Sequence, residues 1–268
     1  MTQTQKIIKY CAIALAVFIV ISIMAGIASL FGLVSNVIVD ETKTTDFKNL
    51  NLNKDANVLD ISIKATDLNI VVGSELKLET NNEYIKESRN NNRLTITESK
   101  HNILANKENK TLTLFVPEEF VFDVVSINNG AGDININILN AKNLFLDLGA
   151  GNVNMSNINV NREAEINGGA GDLDIKDSNI NNLELDLGVG NVNLTSVLRG
   201  ESEINTGVGE TKINVLGKIE DYELEIDKGI GNVTVDGVSI NSEYRYGHGL
   251  NHIDIDGGMG NIDVTFQK

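Results

Sequence analysis

One proline, one cysteine and no tryptophan stand in this chain of 268 residues, and aromatic side chains make up only 5% of it. The lone thiol, Cys11, excludes an intramolecular disulfide and any zinc centre built on several thiolates. So few large rings argue against a conventional core built around them. The scarcity of proline suits a long ladder of paired strands, in which every backbone N–H must donate. Positive charge is short as well: 22 Lys and Arg against 37 Asp and Glu give a formal charge of −15. Nucleic-acid binding relies on basic side chains displacing counterions, so that class of partner is excluded.

What the chain does have is Asn in abundance, 24 Gly, and Ile, Val and Leu held at alternate positions. Strict alternation separates this composition from a disordered one.

Residues 10–39, "YCAIALAVFIVISIMAGIASLFGLVSNVIV", carry no charged side chain. A helix crossing the hydrocarbon needs about 20 apolar residues, and this run exceeds that. Lys6 and Lys9 precede it and Asp40 and Glu41 follow, so positive flanking charge keeps residues 1–9 in the cytoplasm and sends the rest outside. Gly26-Ile27-Ala28 would also suit cleavage of a signal peptide after Ala28. The apolar run continues well past that point, which favours an uncleaved single-pass anchor. Cys11 begins the run and falls inside or at the edge of this helix. Beyond it, 37 acidic residues face 20 basic ones.

A phrase Gly-x-Gly-polar-apolar then recurs. Its glycine pairs are Gly130/Gly132, Gly149/Gly151, Gly169/Gly171, Gly188/Gly190, Gly207/Gly209, Gly229/Gly231 and Gly258/Gly260, at intervals of 19, 20, 19, 19, 22 and 29 residues. Both members of each pair read as structural turn glycines. The longest interval holds a degenerate extra copy, "GHGLNHIDI". A period near twenty marks a stacked array whose units bury their apolar faces against neighbours. Each unit reads as two short strands. "DININI" puts Ile134, Ile136 and Ile138 on one face, and "NLFLDL" aligns Leu144, Leu146 and Leu148. The expected fold is an all-β solenoid, parallel β-helix-like, over 130–268, behind an irregular β-strand cap region at 40–129.

Leu148 and Val153 both belong inside, yet they are an odd number of positions apart. A bulge or turn with positive φ must absorb one residue, and the glycines are there for it. The residue between them runs Ala131, Ala150, Ala170, Val189, Val208, Ile230, Met259. Parity places it inward, as a plug that grows along the stack. The position after the second glycine reads Asp133, Asn152, Asp172, Asn191, Glu210, Asn232, Asn261. With one unit per coil, which we favour over two, these side chains form a ladder about 4.8 Å apart in which amides separate the acids. Asp133, Asp172 and Glu210 are therefore the candidate surface residues. Strands in "VLDISIKATDLNIVV", "RLTITES" and "KTLTLFVP" would cover one end, and Tyr222, Tyr244, Tyr246 and Phe266 would seal the other.

Chemical readings of the glycines fare poorly. Calcium repeats need Gly-Gly-x-Gly-x-Asp on a nonapeptide period, but "GGAGDLDI" has Leu173 and "GGMGNIDV" has Ile262 at the last position. A nucleotide loop needs a third glycine and a following helix, and a strand follows here. His248 and His252 lie near each other but read as turn or cap residues rather than metal ligands. No catalytic residue, cofactor or metal is expected.

"LTLFVPEEFVFDVVSINNGAGDINI", the serial "GAGNVNM" and "GVGNVNL" units, and the closing "GHG" and "GGMGNIDV" resemble, in that order, the bacterial β-strand-repeat domains of unknown function described as "putative adhesins". The resemblance covers roughly residues 46–268. It implies a β-solenoid outside a bacterial cell, often behind a membrane segment, without established catalytic residues; some relatives are associated with envelope stress. The expectation is thus a non-enzymatic, membrane-anchored surface protein contacting a cell-surface or extracellular partner. The runner-up is a sensor or decoy for cationic molecules such as antimicrobial peptides.

Overall fold

Pairs of inward-pointing side chains on each of three short sides account for the shape of each coil. A computed structural model describes residues 48–51, 56–99, 110–240 and 244–267. These belong to one compact unit, and their 21 strands form one continuous sheet. The anchor expected at 10–39 lies outside the described residues, among which no helix is long and apolar enough to cross a membrane.

One turn shows the construction. Leu144 and Leu146 point inward from the first side, Val153 and Met155 from the second, Ile158 and Val160 from the third, and all are at most 4% exposed. Each such side chain gains about 1.5–3 kcal/mol on leaving water. The next turn repeats the set with Ala164 and Ile166, Leu173 and Ile175, Ser178 and Ile180. Registers such as Leu146↔Ile166↔Leu185↔Ile204 are parallel throughout, one repeat unit to each coil. Asn157, Asp177 and Asn182 turn the other two corners with φ near +50°, a conformation these side chains tolerate better than most.

The glycine corner is built as its parity required, but only half of its glycines turn the chain. The second member of each pair does so: Gly132, Gly151, Gly171, Gly190, Gly209, Gly231 and Gly260 take φ between +141° and +152° and absorb the odd residue. All but Gly132, which sits over Thr66, also lie directly over a counterpart: a Cβ on Gly190 would lie 1.8 Å from the Gly171 carbonyl oxygen. The first members correct the expectation. Gly130, Gly149, Gly169, Gly188, Gly207, Gly229 and Gly258 lie inside strands, with none of the positive φ of a turn. Closeness between coils holds them to glycine instead, as for Gly149 against Gly130 at 2.2 Å.

The residue inside the corner is not the expected plug either. Ala131, Ala150, Ala170, Val189, Val208 and Met259 are only half-buried, and Ile230 is 54% exposed. From Ala150 onward their C=O groups join the coils, each accepting the N–H of the second glycine on the adjoining coil, as in Gly151 to Ala170 (3.0 Å) and Gly171 to Val189 (2.9 Å). The bulge spends its extra residue on the outside of the corner, so parity counted through it points the wrong way.

Chain order and spatial order diverge at both ends. Asn251–Met259, the last coil in sequence, lies between Val192–Val208 and Tyr222–Ile230. Ile262–Phe266 is likewise enclosed by Thr211–Val215 and Val233–Val235. The corners follow suit, with Gly260 directly over Gly209 and Gly231 over Gly260. Residues 247–250 form no extra corner: Gly247 and Gly249 close on Tyr222 and Asp221. At the other end Val58–Ile63 lies between Arg93–Glu98 and Val121–Ala131, and Asp67–Val72 between Thr111–Val116 and Ile134–Ile136. The segment before Gly130 thus supplies coils of its own.

Antiparallel strands close both outer edges. Lys77–Thr80 covers Thr111–Val116 and Ile85–Asn90 covers Arg93–Glu98 at one end, while Val238–Ile240 and Tyr244–Tyr246 cover Val233–Val235 and Tyr222–Ile230 at the other. Covered edges resist pairing with other chains. Of the aromatics expected to seal the last coil, Tyr222 and Phe266 are buried with ring centroids 5.5 Å apart, whereas Tyr244 and Tyr246 stack on the outer strand. The first coils enclose a buried carboxylate, Glu98. Burial alone would raise it, but N–H groups of Lys64 and Ala65, the Asn82 amide and the Thr66 hydroxyl outweigh that and hold it below the usual carboxylate range.

Candidate functional site

Two sets of acids line the coil, and they do different things. The ladder beside the glycine corner holds Asp133, Asp172 and Glu210, all exposed. Asp133 Oδ1 accepts the N–H of Asn152 (2.8 Å), Asn152 Oδ1 that of Asp172 (3.1 Å), Asp172 Oδ1 that of Asn191 (2.9 Å), and Asn191 Oδ1 that of Glu210 (3.0 Å). Each rung thereby ties itself to the backbone of the next coil. Asp and Asn serve equally because both carry the oxygen-bearing carbon directly on Cβ. Glu210 is a methylene longer and turns to Lys212 (3.1 Å). Asp172→Asn should keep stability within about 0.5 kcal/mol, whereas Asp172→Ala should cost about 1 kcal/mol by orphaning the Asn191 N–H, both read from urea unfolding.

The second set occupies the outer face of the first side. Four residues before five of the seven first glycines stand Glu165, Glu184, Glu203, Glu225 and Asp254. Their registers place them on five successive coils in the order Glu165, Glu184, Glu203, Asp254, Glu225. No amide interrupts this column. Beside it, two residues further on, runs Asp147, Asn167, Asp186, Asn205, Asp256, Asp227, and on its other flank His252 stands in register between Glu201 and Glu223. Relief is local: Asn167 donates to Glu165 (2.8 Å), Asn205 to Glu203 (3.0 Å), and Arg245 pairs with Glu225 (3.1 Å). Desolvation against the strand, then the neighbouring charges of Glu165, Asp186 and Glu203, raise the carboxyl of Glu184. Desolvation followed by like charge also raises Asp254 and Asp256. A hollow of about 240 Å³ opens among Glu184, Glu203, Asp254 and His252, and Ser202, 2% exposed with an unpartnered Oγ, lines it.

The other two sides are dominated by asparagine. Asn135 and Asn154 pair up the second side (Asn154 Nδ2 to Asn135 Oδ1, 3.2 Å), and Asn179 donates to Asn159 on the third (3.3 Å). The densest run of negative charge is thus on the first side. Sequence reasoning passed over that column although its signal was legible, an acid four residues ahead of a glycine in five units.

This sequence of corners and coils has relatives. Residues 47–248 match the family described as Toastrack DUF4097. The chain belongs to that family. A "putative cell adhesion protein" from Clostridium sporogenes ATCC 15579 is 17% identical with a TM-score of 0.39, over 83% of this chain and 99% of that one. A "putative adhesin" from Bacteroides fragilis NCTC 9343 is 12% identical with a TM-score of 0.31, over 82% and 98%. Those names describe those proteins. No curated protein matches the chain.

Within this Toastrack array, the positions at which a calcium repeat would carry Asp are core: Leu173 and Ile262 are 2% and 3% exposed. Among the described residues no three His, Cys, Asp or Glu side chains gather as a metal centre. His252 lies on the acidic flank, while His248 lines a different hollow with Arg199 and Tyr222, so the two histidines do not form one site. The Toastrack coils also frame an open groove of about 680 Å³ along the first-glycine column, bordered by Asn128, Asp147, Asn167, Asp186 and Asn205.

Proposed function

We propose that this Toastrack chain is a non-enzymatic, membrane-anchored surface protein, with residues 10–39 as its single span and the solenoid outside the cell. Its acidic flank meets a positively charged partner there. The observation that carries the reading is the unbroken column from Glu165 to Glu225 on five successive coils. Carboxylates at strand spacing repel one another, and a row of cations laid along them removes that repulsion. Adhesion to a basic surface and capture of cationic peptides by a sensor or decoy both use this chemistry. The hollow beside Ser202 favours the second, because it can take a single ammonium or guanidinium group out of bulk water.

The test uses the full-length protein and polylysine. Binding should weaken about tenfold or more between low and physiological salt, as contacts between exposed charges do. Glu184→Gln with Glu203→Gln and Asp254→Asn should weaken it further at fixed salt. Binding indifferent to both would overturn the reading. Acidification separates two effects of opposite sign. The carboxyls of Glu184, Asp254 and Asp256 are raised in the folded state, so the folded protein binds protons before the unfolded chain does. Between those raised values and the ordinary carboxylate range near about 4, their contribution to stability should rise as pH falls, while polylysine binding falls. Thermal unfolding and titration over the same pH series check both.

A further inference from the structure

We propose that the groove along the first-glycine column binds an extended, uncharged, β-linked glycan. This goes beyond the cationic contact above and uses residues beside the carboxylate column rather than in it. The groove spans five coils, about 19 Å at strand spacing, and its volume of about 680 Å³ is that of a ligand cleft. Along its length Asn128, Asp147, Asn167, Asp186 and Asn205 present acid and amide in turn, one to a coil. Carboxylates accept from hydroxyls, and amides both donate and accept, so the row suits a ligand with hydroxyl groups at every step.

One buried atom also asks for a donor. Asn129 is 3% exposed and lines the groove; its Nδ2 donates to the Gly132 carbonyl (2.8 Å), but its Oδ1 has no partner. An orphaned buried acceptor is costly.

The repeat selects among polymers. An extended β-linked hexose chain advances by about one coil spacing per sugar, so each ring meets one rung, acid and amide in turn. An extended peptide advances about 3.3 Å per residue and drifts out of step. It would also look for free backbone groups at an edge, whereas here the corners are bonded coil to coil. Asp147, Asp186 and the adjacent carboxylates repel acidic polymers.

The experiment titrates full-length protein, held in a detergent without a sugar head group, with cellotetraose, chitotetraose and the α-linked maltotetraose. At least one β-linked tetraose should bind saturably, about tenfold or more tighter than maltotetraose. Asp147→Ser combined with Asp186→Ser should weaken it about tenfold without moving thermal unfolding, whereas Asp172→Asn should leave it unchanged. No saturable binding of either β-linked tetraose up to about 10 mM, equal binding of maltotetraose, or affinity untouched by the double substitution would each overturn the proposal. Polylysine titrated in parallel keeps the two sites apart. Loss of glycan binding with polylysine binding retained implicates the groove alone, and loss of polylysine binding in Glu184→Gln with Glu203→Gln implicates the acidic flank alone.

Discussion

Gly190→Ala is expected to unfold the central coils, while Gly237→Ala leaves them standing. Gly190 has φ +147° and its Cβ would fall 1.8 Å from the Gly171 carbonyl oxygen. The strained backbone alone is worth about 1–3 kcal/mol. The clash is with backbone on the neighbouring coil, which moves only if the coils part and their bonds break, so the total should reach about 4 kcal/mol or more. That corresponds to a fall of about 10 °C or more in the unfolding midpoint. Gly237 also has positive φ, +77°, but nothing lies within 4 Å of its Cβ position. Substitution there should cost about 1–2 kcal/mol, the penalty of the left-handed backbone alone. Circular dichroism melts of both variants separate stacking from local conformation. Equal effects would show that close approach between coils is not what fixes glycine at the corner.

The second large effect concerns the chain end. A stop after Ile240 removes Asn251–Met259 and Ile262–Phe266, and with them a coil enclosed on both sides. Leu224, Ile226, Val233 and Val235 then have no coil to pack against, and the Tyr222–Phe266 contact is gone. Residues from 217 onward should lose protection from hydrogen exchange, and the midpoint should fall by about 10 °C or more. An internal deletion of 165–183, also one coil long, joins Ala164 to Glu184 in the register that Leu183 leaves. Because a solenoid's stability is roughly a sum over coils and their interfaces, that deletion should lower the midpoint by only a few degrees. A chain stacked in sequence order would lose only a few degrees from either change, since losing its last coil would merely shorten it.

Much of this was written in the alternation and period of the residues. Leu144, Leu146, Val153 and Met155 are core as their spacing requires, and the odd count across Gly149 and Gly151 announced a positive φ. Which glycine carries it was not announced, because close approach and positive φ both exclude a side chain and leave the same letter. The residues between the glycines were misplaced because a bulge reverses parity within itself, and no count of positions says on which side. The exchange of coils at the C-terminus was hidden for a different reason. Intervals of 22 and 29 reveal that extra chain is present, but adjacency depends on which strand edge that chain leaves open. Val238–Ile240 and Tyr244–Tyr246 occupy one edge, so the last coil takes the other. The acidic flank could be read from Glu165, Glu184 and Glu203, yet its continuity through Asp254 and Glu225 needed the exchanged order. The groove was beyond sequence altogether, since it depends on how the columns of Asp147, Leu148 and Gly149 lean against one another.

The tucked ends also set how the molecule carries tension. A pull entering at the amino-terminal end of the array first peels Lys48–Asn51, which among the described residues pairs only with Lys77–Thr80, and then reaches Val58–Ile63, which is hydrogen-bonded along both edges. Parallel neighbours loaded along their length share the stress over many bonds at once, whereas an outermost strand peels one bond at a time. Pulling on the carboxyl-terminal end meets the same arrangement at Ile262–Phe266. The array is therefore fastened like a strap threaded back under its own loop, and it grips hardest once the pull reaches these enclosed strands.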